Sequence, residues 1–201
     1  LLLAVDVTND VINMAIQQHV DMIVSHHPMI FGSVDRVNDD TVLGRKILEL
    51  IEHGICCYAM HTNFDTIGGM AKEAAKMLGI QNLEVLEETR DGEGIGQTGQ
   101  LPYTRTVREL ASEVKEKFGL KNVTIYGNLD KKVDKVAICL ISGDIGHHEG
   151  LDACEQGVAV IDASHYGLEQ IFMYIMRDYI RGYNPDMEII IADEGVPFTI
   201  V

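Results

Sequence analysis

Five side chains able to bind a metal ion fall in three places: His26 and His27 in SHHP, Asp65 in HTNFD, and His165 with Glu169 in SHYGLE. Each group sits where an apolar strand pattern gives way to a loop or helix. In an α/β protein that point opens on the crevice at the carboxyl ends of the strands. Three imidazoles and two carboxylates suit one or two divalent cations, because neutral imidazole nitrogen and carboxylate oxygen are ligands for Zn, Fe and Mn. Adjacent residues of an extended strand point to opposite faces, but Pro28 keeps His27 out of the helical region and turns the chain. His26 and His27 then serve two neighbouring cations better than one. His165 and Glu169 are four residues apart behind Ser164 and share one helix face. A carboxylate there can reach two cations through its two oxygens. Taken singly, each group also reads as a solvated turn, an Asx-turn or a polar helix face. The coincidence of three ligand-rich strand ends carries the metal expectation.

The other histidines divide by position. His61, His147 and His148 lie beside these segments and are the candidate catalytic residues, as proton carriers or as groups that orient ligands. His19 and His53 fall at helix ends, where imidazole complements the helix dipole. The glycine-containing stretch GEGIGQTG lacks a capped helix at the distance a dinucleotide fingerprint requires.

These residues need a frame to hold them. Leu1–Val7 is a buried-strand run, and Asn9 can cap a helix with Val11, Ile12, Ala15 and Ile16 on one face. Asp21–Ser25 reads as a second strand, Thr41 caps a helix that Gly54 ends, and Ile55–Met60 is a third strand leading to His61. A helix over about 69–78 follows. Strands alternating with amphipathic helices predict βαβ units. The charged, glycine-rich stretch 87–99 reads as a crossing into a second lobe. That lobe is expected to hold a helix over 107–118, short strands near Val123 and Val136, a helix over 150–155 and a strand over 158–162. A final strand pair, 187–192 and 196–201, is expected to return to the first sheet. The predicted class is α/β: two α/β lobes with mostly parallel sheets facing a metal-containing cleft, the first formed by 1–90 plus 164–201, the second by 91–163. MIVSHHP and LISGDIGHHEG, each followed by a helix, a glycine and a strand, hint at an internal repeat.

The bulk numbers bound the function. A 46% hydrophobic chain of 201 residues has ample material for a core. A net charge of −15 without a basic, aromatic-interleaved run argues against nucleic acid as a ligand. Small anionic substrates fit if bound cations invert the local sign. Cys56, Cys57, Cys139 and Cys154 form no CxxC pair, and three of them lie in or beside strand patterns, where free Cys acts as a small hydrophobe. They predict a reducing compartment. No apolar run approaches the length of a membrane span, so the expectation is a cytoplasmic protein with no membrane partner.

The segments LLLAVDVT, DMIVSHHPMIF, CYAMHTNFD, ISGDIGHHEGLDA and GVAVIDASHYGLE together resemble the dinuclear-metal family of GTP cyclohydrolase 1 type 2 homologues, also called NGG-interacting-factor-like. The resemblance runs from end to end. It implies that His26, His27, Asp65, His165 and Glu169 bind two divalent metal ions, with Glu169 bridging. It also implies a homohexamer with the metal sites facing an internal cavity. The family pattern places a glycine-rich turn, a helix and a second strand between a strand such as KVAIC and the SGD motif, whereas Cys139 is followed directly by Leu140. A parallel crossover needs a dozen or more residues, so a missing stretch near 139–141 is expected.

The resulting functional expectation is a metal-dependent hydrolase with a small-molecule substrate, for which the family label implies a nucleotide, GTP. No glycine-rich phosphate cradle or Arg-rich pocket supports GTP from the residues themselves. The alternative is a metal-binding regulatory or scaffold assembly with little turnover, in which the protein would saturate each cation instead of leaving a position for water.

Overall fold

The computed structural model describes residues 1–90, 92–139 and 145–195. It divides into two compact units, Leu1–His61 with Gln170–Val201, and Thr62–Glu169. Among the described residues no helix is long and apolar enough to cross a membrane.

Unit 1 is a parallel sheet with helices. β1 (Leu2–Ala4), β2 (Met22–Ser25), β3 (Cys56–Ala59) and β9 (Ile190–Ile191) are ordered β3-β2-β1-β9. Every pairing is parallel, and the register matches Ala4 with Ser25 and Ser25 with Ala59. The carboxyl ends of three strands are thereby level. Helix α1 (Asn9–Gln17) begins one residue earlier than expected, because Thr8 rather than Asn9 is the cap and accepts from the Val11 N–H at 3.2 Å. Thr41 caps α2 (Val42–Glu52) as predicted, accepting from Gly44 N–H at 2.9 Å. The apolar faces of these helices meet the sheet in a core that includes Leu2, Ala4, Val11, Ala15, Ile23, Leu50 and Ile55. Burying each of the larger side chains contributes roughly 1.5–3 kcal/mol. α7 (Ile171–Tyr183) adds Phe172, Met173 and Met176 to the buried set. β9 pairs with β1 as expected of the C-terminal segment, while 196–201 lies outside the described residues. β3 is an edge strand, so Cys56 and Cys57, read from sequence as strand-interior residues, are exposed, as are Cys139 and Cys154.

Unit 2 corrects the expectation of mostly parallel sheets. β4 (Gln81–Arg90), β5 (Glu93–Thr106) and β7 (Lys132–Ile138) form an antiparallel sheet, and β6 (Thr124–Tyr126) pairs antiparallel with β8 (Val160–Asp162). The stretch 87–99 is a hairpin, not a crossing. Its glycines permit close backbone approach: a Cβ on Gly94 would lie 2.0 Å from the Glu87 carbonyl oxygen, and Gly96, at φ +73°, would place one 2.8 Å from that of Ile138. Hydrogen bonding of β4 to β5 also draws 62–90, expected in the first lobe, into unit 2.

The helices of unit 2 are α3 (Met70–Met77), α4 (Val107–Lys117), α5 (His147–Glu155) and α6 (His165–Glu169). α4 starts in a capping box: Glu109 N–H donates to Thr106 Oγ1 at 3.2 Å, and Thr106 N–H donates to the Glu109 carboxylate at 2.7 Å. The Thr106 N–H holds that carboxyl below the usual range. Thr106→Ala is expected to cost about 1 kcal/mol and lower the melting temperature by about 2–4 °C, read by calorimetry. Val107, Leu110 and Val114 from α4 are buried, the latter two in a core with Ala75, Leu78, Ile80 and Ala163.

Candidate metal centre

Unit 1 gathers three imidazoles at the carboxyl ends of its strands. The parallel ladder runs past β2, with His26 N–H donating to Ala4 O at 3.1 Å and His27 N–H to Val5 O at 2.9 Å. Ser25 Oγ donates to His27 O at 2.7 Å and holds the turn before Pro28. β3 continues through Met60 N–H, which donates to Ser25 O at 2.8 Å and delivers His61 to the same place. The His61 ring centroid lies 5.2 Å from that of His26 and 5.5 Å from that of His27. One ligand atom from each of the three lies within 4.8 Å of the others. Two nitrogens on one zinc, each at about 2.1 Å, are at most about 4.2 Å apart, so small side-chain adjustments suffice for a cation.

The Nδ1 atoms are used in the way metal-binding imidazoles use them. His26 Nδ1 meets the Met60 carbonyl at 2.9 Å, and His27 Nδ1 meets Asp6 Oδ1 at 2.9 Å. A carbonyl or carboxylate oxygen only accepts, so both rings carry hydrogen on Nδ1, which leaves Nε2 as the nitrogen that holds the lone pair of each neutral ring. A ligand histidine whose other nitrogen donates to oxygen has its ring orientation and tautomer fixed and its basicity raised. Phe172 packs against His26, 5.3 Å between centroids, and His26 is 0% exposed. The carboxylate of Glu194 accepts from the Val5 and Asp6 N–H groups at 2.6 and 3.0 Å. Burial pushes that carboxyl above its usual range, and these two N–H bonds draw it partly back. Asp6, Met60 and Glu194 were not singled out from sequence. Asp6→Asn is expected to weaken metal affinity roughly 10–100-fold, measured by competition with a chromogenic chelator.

The remaining ligand candidates belong to unit 2. Asp65 lies in the π-helical turn Phe64–Gly68 and is only 7% exposed. Single π turns are uncommon and occur often at functional sites. Ser164 has a φ of +60°, its N–H donates to Asp162 Oδ1 at 2.8 Å, and its Oγ accepts from Gly167 N–H at 3.3 Å. A non-glycine residue in that region is uncommon. This conformation starts α6, and His165 Nε2 stands 3.3 Å from Glu169 Oε2, with Glu169 2% exposed. α6 ends at Glu169, and α7 follows from Ile171. Among the described residues Asp65 joins no group of three donors within 4.8 Å, and neither do His147 and His148. Those two histidines are exposed in the first turn of α5, with ring centroids 5.4 Å apart.

The fold agrees with what the chain resembles. The sequence model of the Duf34/NIF3 (NGG1p interacting factor 3) family matches residues 1–140 and 139–195. The chain belongs to this family. A GTP cyclohydrolase 1 type 2 homolog of Clostridium acetobutylicum is 31% identical over 204 residues, covering 90% of this chain and 76% of the relative. The Clostridium perfringens homolog of the same description is 30% identical over 224 residues, covering 100% and 86%. The NIF3 homolog of Schizosaccharomyces pombe is 28% identical over 200 residues, covering 86% and 72%. Among solved structures, a Staphylococcus aureus hypothetical protein superposes with a TM-score of 0.90 at 23% identity, covering 100% of this chain and 86% of its own. A Bacillus cereus protein related to NIF3 reaches 0.89 at 21%, covering 100% and 88%. At those identities the superpositions establish the NIF3 fold.

Proposed function

We propose that this DUF34/NIF3 protein is a metal-dependent hydrolase of a small-molecule substrate, its two divalent cations held by His26, His27, Asp65, His165 and Glu169. The observation that carries the reading is the pair of engaged Nδ1 atoms, which commits the lone pairs of two buried imidazoles to Nε2 beside His61. When bound, a dinuclear centre supplies Lewis acidity and a water acidified towards neutrality. The chain's own residues do the rest. Asp6 and the Met60 carbonyl fix the two imidazoles. Glu169 offers two oxygens on a carboxylate that the fold keeps out of bulk solvent. His61, close to both buried imidazoles, is either a further ligand or the base that moves a proton, and His147 and His148 are the alternative proton carriers. Zn, Fe and Mn all suit imidazole and carboxylate.

A nucleotide substrate such as GTP is the first to test, because relatives at 30–31% identity are described as GTP cyclohydrolase 1 type 2 homologs. Assembly as a homohexamer and a cytoplasmic location complete the proposal. The test is metal analysis of protein purified without added metal, followed by a turnover screen on nucleotides and phosphoesters before and after chelation. The expected result is about two bound equivalents, as for two-metal hydrolytic sites, with turnover abolished by chelation and restored by metal. Metal that binds without any turnover across the screen would shift the reading to a scaffold, and protein that takes up no metal would end both.

A further inference from the structure

One carboxylate of unit 2 holds the approaches to both helices that carry its histidines. Asp162 is the last residue of β8, and its Oδ1 accepts the Ser164 N–H at 2.8 Å, an Asx-turn contact two residues ahead. Its Oδ2 accepts the Ile145 N–H at 3.3 Å, from a segment 17 residues earlier in the chain. Ser164 leads directly into α6, with His165 and Glu169. Ile145 stands two residues before His147, where α5 begins. Residues 140–144, which include the junction where a missing stretch is expected, lie outside the described residues.

The carbonyl of residue 145 is held as well. Tyr126 Oη donates to it at 3.2 Å, and β6, which carries Tyr126, pairs with β8 in a register that sets Thr124 opposite Asp162. α5 lies against the same tyrosine: Gly150 is buried, and a Cβ there would sit 2.3 Å from the Tyr126 ring. The N-cap of α5 is Gly146, which has no side chain with which to fix the helix start. The start of α6 is a strained one, since Ser164 is held at φ +60°. A carboxylate can serve the N–H groups of Ile145 and Ser164 together because both its oxygens only accept, whereas an amide has one oxygen and a donor in place of the other.

We propose that Asp162 is a positioning residue for the centre: its one carboxylate ties α6, with His165 and Glu169, to α5, with the proton carriers His147 and His148. The chemical consequence rests on the metal-dependent reading above, while the tie itself is a property of unit 2 and is tested without metal. Hydrogen bonds to a charged group are about twice as strong as neutral ones, so the carboxylate, and not a polar side chain of the same shape, is what the arrangement requires.

Asp162→Asn separates the two contacts. Its single oxygen is expected to stay with the nearer Ser164 N–H, which turns an amide donor towards the Ile145 N–H. Amide hydrogen exchange across 146–150 should then quicken about tenfold or more, while exchange across 165–169 and zinc affinity, measured by chelator competition, stay within about twofold of wild type. Asp162→Ala loses both contacts, so it should quicken exchange in both segments and weaken zinc binding about tenfold or more. Tyr126→Phe keeps the ring against Gly150 and removes only the hydroxyl, so it should quicken 146–150 alone; with Asp162→Asn it decides the matter should the alanine variant fail to fold. Exchange across 146–150 at the wild-type rate in Asp162→Asn would overturn the proposal. So would equal loosening of both segments in Asp162→Asn and Asp162→Ala, which is what a merely structural side chain gives. Wild-type protein that takes up no zinc would end the metal reading, and the contrast in exchange between the two segments would still decide the tie.

Discussion

Protein carrying His26→Ala and His27→Ala together is expected to emerge from purification with less than about a tenth of the wild-type metal content, since even losing an outer partner of a ligand costs 10–100-fold in affinity. Both side chains are buried, and both Nδ1 atoms are committed to oxygen acceptors. No other group of the described residues of unit 1 offers three donors within 4.8 Å. The double variant also strands the Met60 carbonyl that His26 serves, and an unsatisfied buried acceptor costs about 1–3 kcal/mol. Metal loss and unfolding must therefore be separated. Melting curves of wild type and variant, both stripped with chelator, measure the folding cost alone. Elemental analysis of the variant before stripping measures the site. A variant that melts like stripped wild type and still carries the wild-type complement of metal would remove these residues from the site.

Glu169→Gln should lower turnover by a factor on the order of 100 or more, because several kcal/mol of metal-derived stabilisation are lost and each 1.36 kcal/mol is tenfold. Gln keeps the shape of Glu169 but loses its charge, and its amide nitrogen has no lone pair to offer a second cation. At 2% exposure the carboxylate is buried, 3.3 Å from His165 Nε2. Melting of metal-stripped Glu169→Gln beside stripped wild type measures the folding cost of the substitution by itself. A loss of metal and turnover in variant protein that is still fully folded is not what a purely structural side chain would give. Unchanged metal content and unchanged turnover would exclude Glu169 from the centre.

The candidate ligands could be named from the sequence because their chemistry is carried by residue type and by position after an apolar strand. SHHP follows MIV, and HTNFD follows CCYAM. Their orienting partners were not legible. Asp6 reaches His27 only because the parallel register sets Ala4 beside Ser25, and Met60 reaches His26 only because Ser25 is matched with Ala59. Neither register is encoded locally in the 21 or 34 residues that separate the partners. The hairpin at 87–99 was misread because glycine-rich composition marks linkers and close strand pairing equally well, and only the neighbouring backbones distinguish them. The antiparallel sheets of unit 2 followed the same misreading. The left-handed backbone of Ser164, at the start of α6, has no signature in residue type.

The two oxygens that aim the paired imidazoles differ in how they are inherited. Asp6 supplies one from its side chain, so a single nucleotide change can delete it. The other belongs to the peptide group of residue 60, and no codon at that position removes it. Drift in this lineage can therefore detune His27 one mutation at a time, while the aim of His26 lasts as long as the edge strand beside it stays in place.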